Sequence, residues 1–235
     1  MWRLFYLLFP LSAWGEYFSF DHKNVSYGVI KTEAQKVKLH WLREDGQPFN
    51  NLENLRQYLE KSGPVEMLMN GGIFGTNHRP AGLWVEKGRE LNPLNLKSGG
   101  GNFHFSSGVF AIAKGRAHIL PAAQYAKRQL KAEYALQSGP LLIINGRING
   151  KFRRDSTSHY RRNAVCTDRA GRVYFLMTIG ARRDYPNLYH LAEAMQSLGC
   201  RQALHLDGSL SSWYVPGRFG TFHWRDFVGM LSVSP

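Results

Sequence analysis

The feature that most constrains this chain is a succession of short β-type runs broken by Gly, Asn and Pro. Residues 25–30, 36–41, 65–69, 83–86, 108–113, 141–144 and 173–179 all fit this description. Runs of that length, bounded by turn residues, read as strands. The first two are expected to pair with each other. Helical periodicity is confined to residues 51–61, 121–130 and 188–198. The first carries Leu52, Leu55, Tyr58 and Leu59 on one face and stops at Ser62-Gly63-Pro64; the second opens on Pro121; the third is closed by Gly199. Strands and helices in this mixed order predict an α+β fold, a strand-rich single domain with about three helices, over a doubly wound sheet.

The first fifteen residues stand apart. Arg3 precedes an apolar stretch from Leu4 to Leu11, and Ala13 and Gly15 hold the small-residue positions before a cut at Glu16. This is the layout of an export signal, and the stretch is shorter than the roughly 20 residues of a membrane-spanning helix. An N-terminal hydrophobic strand or a short anchor is the competing interpretation. Residues 1–15 are therefore expected to be removed, leaving 16–235 as the working domain in the periplasm or secreted, with no stable membrane insertion.

The formal charge is +13, and Arg3 is the only charged side chain before Glu16, so cleavage leaves +12. A basic chain favours polyanionic surroundings such as envelope phosphates, although plain surface solubility accounts for the charge equally well. The Lys and Arg form no helical stripe, and no nucleic-acid-binding motif is present, which argues against a nucleic-acid partner. Cys166 and Cys200 lack the close spacing of a metal or redox site. They either bridge or sit as two buried thiols.

Four segments place Gly and short polar residues directly after apolar runs, where ligand sites usually form. They are Met69-Asn70-Gly71-Gly72-Ile73-Phe74, Gln137-Ser138-Gly139-Pro140, Arg161-Arg162-Asn163-Ala164-Val165, and His205-Leu206-Asp207-Gly208-Ser209-Leu210-Ser211-Ser212. Each alone also reads as an ordinary turn. Trp84, Trp213, Tyr214 and Trp224 are available to stack on sugar rings but read mainly as core. His205 and His159 lie beside these segments, and His78 and His104 lie in Gly-rich loops; all four are read as structural. No metal-binding spacing occurs, though Asp207, Asn70 and nearby carbonyls could hold a divalent cation.

In this order the segments resemble a known family, the phosphodiester glycosidases related to the lysosomal uncovering enzyme, which removes N-acetylglucosamine from a phosphodiester. The likeness is greatest to a bacterial branch of expected periplasmic proteins. It is carried by MNGGIFGTNHRPAGLWVEKGRELNPLNLKSGGGNFHFSSGVFAI, QSGPLLIING, RRNAVCTDRAGRVYFLMTIG and LDGSLSS. Two blocks depart from the family pattern: Asn163 stands where the family usually has Thr, and His205 where it usually has Asn. The resemblance implies a phosphodiester glycosidase-like fold acting on a carbohydrate or glycosyl-phosphate substrate.

Glycoside hydrolysis ordinarily uses two carboxyl groups, and Asp207 is the one carboxylate in the four short segments. A departing phosphate monoester, with a second pKa of about 6, needs little protonation. It does need a clamp for negative charge. Asp207 is accordingly expected to act on water or on the oxocarbenium ion, Arg162 to bind phosphoryl oxygens, and Asn70 with Ser138 to hold sugar hydroxyls. Gly71, Gly72, Gly139 and Gly208 would bring backbone amides to the substrate, with Ser209 and Ser212 beside them. No cofactor is evident. The competing function is a non-catalytic binder of anionic polysaccharide at the cell envelope.

Overall fold

The computed structural model of the chain describes residues 15–97, 107–207, 210–220 and 226–235. Among the described residues, three antiparallel sheets and three α-helices account for the regular structure. The first sheet runs in the order β1 (Glu16–His22), β2 (Val25–Thr32), β13 (Val173–Thr178), β12 (Asn163–Thr167), β14 (Gln202–Asp207), β10 (Leu141–Ile144) and β11 (Arg147–Ile148). The second comprises β16 (Phe219–Gly220), β15 (Trp213–Val215), β4 (Met67–Asn70), β17 (Met230–Val233) and β3 (Val37–His40). The third comprises β6 (Arg89–Asn92), β5 (Trp84–Glu86), β9 (Tyr134–Ser138), β7 (Gly108–Ala113) and β8 (Arg116–Pro121). The strand-rich α+β reading thus holds in its coarse form.

Successive side chains on a strand point to opposite faces, and here both faces are covered. On β13, Val173, Phe175 and Met177 enter a core shared by all three sheets, while Tyr174 and Leu176 enter a separate cluster behind the first sheet. β4 and β7 divide in the same way. Met67 and Met69, with Phe110 and Ile112, face the shared core; Leu68, with Val109 and Ala111, faces outward clusters. That is why these antiparallel strands lack the polar alternation of a solvated sheet and read as unbroken apolar runs. Each fully buried side chain of this size contributes roughly 1.5–3 kcal/mol.

The helices close the outer faces. α1 (Leu52–Leu59) starts where Asn51 accepts the Asn54 N–H at 2.8 Å and packs Leu52 and Leu55 on Leu68, Phe227 and Met230. α2 (Ala122–Arg128) follows Pro121 and sets Ala122 against Leu83, Val109 and Ala135. α3 (Leu188–Ser197) starts at Asn187, whose side chain accepts the His190 N–H at 2.9 Å, and packs Leu191 and Met195 over Tyr27, Ala164 and Leu176. None of the described helices is long and apolar enough to cross a membrane.

Two sequence expectations are revised. Residues 25–30 and 36–41 do not pair with each other: β2 lies between β1 and β13, and β3 pairs with β17 from Val37↔Val233 to His40↔Met230. β2 is buried on both sides and needs two neighbours, which a local hairpin with β3 would not supply. The cysteines are bridged, Cys166 of β12 to Cys200 beyond α3, with Cα atoms 5.8 Å apart. The bridge adds a covalent tie to the cluster beneath α3, worth about 2–4 kcal/mol.

Candidate active site

The ends of β4, β12 and β14 bring three distant motifs into one hydrogen-bonded group. Register places Asn163, the first residue of β12, opposite Asp207, the last of β14. Asn70 arrives from the second sheet, where it pairs with Met230. Its Nδ2 donates to Asp207 Oδ2 at 2.5 Å. Its Oδ1 accepts from the Ser212 N–H at 2.7 Å and from Asn163 Nδ2 at 3.2 Å, and its carbonyl accepts from the same Asn163 Nδ2 at 2.7 Å. Ser211 Oγ lies 3.2 Å from both Asn163 Oδ1 and the Asp207 carbonyl.

These contacts fix the orientation of both amides. Asn163 can only donate to Asn70 through Nδ2, and Asn70, with its oxygen committed to two donors, turns its own Nδ2 to the carboxylate. Asn70, Asn163 and Ser212 are at most 1% exposed. Asp207 is the half-buried member of the chain. A hydrogen bond to a carboxylate is worth about 1.5–3 kcal/mol, so the buried amides hold the one ionised group of the network in a set direction.

Arg162 precedes Asn163 and is 3% exposed. Its Nε donates to the Pro186 carbonyl at 3.3 Å, its Nη2 to the Ser158 carbonyl at 2.9 Å and hydroxyl at 3.4 Å, and its Nη1 lies 3.5 Å from His205 Nε2. The Tyr160 ring covers the guanidinium at 5.3 Å. Among the described residues Arg162 makes no salt bridge. Burial lowers its pKa to about 10. A buried cation without an acid partner among the described residues is costly to maintain.

The remaining predicted residues fall around this group. Ser138 ends β9 with its hydroxyl donated to the Leu206 carbonyl at 2.8 Å. Gly139 offers its carbonyl to His205 Nδ1 at 3.2 Å. The amides of Gly71 and Gly72 bond the carbonyls of Gly229 and Leu206, at 3.0 and 3.2 Å, so they tie the sheets together where the sequence suggested a ligand cradle. Gly72 also has φ +84°, a conformation that favours glycine. Likewise Asn70, Ser138 and Ser212 bond protein atoms behind Asp207; none presents an exposed side chain to a sugar. Gly208, Ser209, Trp224, His104 and residues 1–14 lie outside the described residues.

Trp84 and Trp213 are core, at 1% and 0% exposed. Tyr214 stacks under Arg56 at 5.8 Å, and His159 Nδ1 lies 2.7 Å from the Tyr185 carbonyl. Among the described residues no three His, Cys, Asp or Glu side chains are grouped to hold a metal ion. Asn70 turns its NH₂ group to Asp207, and an amide nitrogen is not a ligand for a hard cation.

Sequence reasoning gave no role to Asn163 or Ser211, although both lie within the singled-out segments. The available signal was strand alternation: Asn163 shares a face with Val165, which enters the common core. Gly28 on β2 was missed altogether. The Trp213 indole, next to Ser212, lies so close that a Cβ on Gly28 would stand 2.5 Å from its Cη2.

The chain is 34% identical over 210 residues to the Escherichia coli (strain K12) uncharacterized protein YigE, covering 88% of this chain and 80% of that one. Its fold is similar to the catalytic domain of zebrafish N-acetylglucosamine-1-phosphodiester alpha-N-acetylglucosaminidase, auto-inhibited by its pro-peptide. The TM-score is 0.66 at 15% identity, covering 94% of this chain and 82% of that one. A hypothetical protein from Synechocystis follows, at TM-score 0.59 and 13% identity over 93% and 61% of the two chains. The phosphodiester glycosidase family matches residues 63–226, a span that contains Asn70, Arg162, Asn163, Asp207, Ser211 and Ser212, and the chain belongs to that family.

Proposed function

We propose that this protein is an exported hydrolase that cleaves a glycosyl phosphodiester, or a related anionic envelope glycan, at the Asp207–Arg162 site. The observation that carries this reading is the buried guanidinium of Arg162, without a salt bridge among the described residues, one residue before Asn163, whose partner on β14 is the Asp207 carboxylate held by Asn70. Asp207 provides negative charge on the anomeric side, directed at water or at the oxocarbenium ion. Arg162 receives the phosphoryl oxygens in place of Ser158, whose carbonyl and hydroxyl are its present acceptors. Because a phosphate monoester with a second pKa of about 6 leaves readily, one carboxylate suffices where a sugar alkoxide would call for two.

The export half of the reading is supported by the signal-like residues 1–15 and by the Cys166–Cys200 bridge, a bond that persists in oxidising compartments. Release of free sugar from a panel of glycosyl phosphodiesters tests the chemistry. Asp207→Asn and Arg162→Ala are each expected to abolish turnover while retaining the fold; full activity in either variant refutes the assignment. Binding of the panel without turnover by the unaltered chain would favour the polysaccharide-binding role. The mass of the mature protein recovered from the periplasm, expected to begin at Glu16, tests the address.

A further inference from the structure

We propose that His205 is a positioning residue for Arg162, accepting from its guanidinium through Nε2 and so fixing the plane of that group without neutralising it. The inference rests on the reading of Arg162 as the phosphoryl clamp. His205 is 3% exposed, on β14 two residues before Asp207. Its two ring nitrogens face chemically opposite partners. Nδ1 lies 3.2 Å from the Gly139 carbonyl, which can only accept, so Nδ1 carries the proton. Nε2 lies 3.5 Å from Arg162 Nη1, which can only donate, so Nε2 is the bare acceptor. One neutral tautomer satisfies both contacts.

The neutral form is also the one the surroundings enforce. Burial and the neighbouring Arg162 charge lower the His205 pKa to about 3. The choice of acceptor matters for a clamp. A carboxylate in this place would pair with the guanidinium and cancel the charge that the phosphoryl oxygens require. The imidazole orients the fork and leaves that charge available, while Pro186 and Ser158 hold Nε and Nη2 through neutral oxygens. All of the described acceptors around Arg162 are therefore neutral. His205 is the one that comes from the same strand as Asp207, so it ties the cation and the carboxylate to a common backbone.

The test compares unaltered protein with His205→Gln, His205→Leu and His205→Asp, using inorganic phosphate as the probe and thermal melting to confirm the fold. Loss of one neutral hydrogen bond corresponds to about tenfold in affinity. His205→Leu is expected to weaken phosphate binding by about that factor and to raise KM for a turned-over phosphodiester more than it lowers kcat. His205→Gln, which retains an acceptor, should recover most of the loss. His205→Asp should bind phosphate least. Long-range ¹⁵N–¹H spectra of the histidines should show the Nδ1–H tautomer for His205 in the absence of any ligand, a readout independent of activity and of whether His205→Leu folds. An Nε2–H tautomer, or phosphate affinity unchanged in a folded His205→Leu, overturns the positioning role while leaving the clamp in place. Failure of the unaltered protein to bind phosphate, with Arg162→Ala indistinguishable from it, overturns the clamp itself and the positioning role with it.

Discussion

Asn70 Nδ2 and Asp207 Oδ2 stand 2.5 Å apart although 137 positions separate the two residues in the chain. The contact makes Asn70 a support for the carboxylate. Asn70→Ala is expected to reduce turnover by about 10- to 100-fold, the equivalent of a charge-assisted bond of about 1.5–3 kcal/mol. It should also destabilise the fold by about 1–3 kcal/mol, because the Ser212 amide loses its acceptor and Asn163 Nδ2 keeps only the backbone carbonyl of residue 70. Initial rates and denaturant melts of the one variant measure both effects; unchanged rates would remove Asn70 from the site.

Stability should depend on pH through His205, which is buried, and His40, which is half-buried at the end of β3. Burial lowers both His40 and His205 to about 3, against about 6.5 in an unfolded chain. Between those values the unfolded state binds protons that the folded state does not, so stability falls as pH falls below about 6.5 and is unaffected by these groups above it. Each contributes a slope of up to about 1.4 kcal/mol per pH unit. Urea midpoints from pH 7.5 to 5 should decline in the unaltered protein and decline less in His205→Gln; equal slopes in the two would contradict the assignment.

Gly28→Ala tests the close approach of β2 to Trp213. The added methyl would stand 2.5 Å from the indole, and overpacking of this kind costs about 1–3 kcal/mol. Displacement of Trp213 carries Ser212 with it, so the Ser212 N–H bond to Asn70 should weaken and turnover drop with stability. A variant as stable and as active as the parent would show that the packing yields.

Reduction of Cys166–Cys200 should lower stability by about 2–4 kcal/mol, measured as a lower melting temperature in dithiothreitol and in the paired Cys166→Ala, Cys200→Ala variant. Because the bridge lies in the cluster under α3, away from Asp207, turnover at low temperature should persist.

The sequence was most legible where both faces of a strand are buried. Residues 108–113 and 141–144 coincide with β7 and β10, since an unbroken apolar run bounded by turn residues leaves little else to form. α1 and α3 were visible by periodicity. β1 was not, because EYFSFDH alternates exposed and half-buried positions at a sheet edge, and β16 has two residues. The β3 to β17 pairing joins the two ends of the chain, and no local signal encodes a contact of that separation. The same limit governs the site. Asn70, Arg162 and Asp207 could be named from their motifs, but their mutual arrangement depends on how two sheets meet, and the role of Asn163 became visible only through its contacts.

The hydrogen-bonded group at Asp207 is shared between independent sheets: Asn70 belongs to the second, Asn163 and Asp207 to the first, with Ser138 of the third close behind. It is a seam. A hydrogen-bonded group that depends on three layers staying docked has no way of surviving the partial loosening of any one of them. Catalytic competence should then vanish at lower denaturant than strand ellipticity, and a ligand that bridges Arg162 and Asp207 should act as a staple, raising the resistance of the whole assembly to proteolysis.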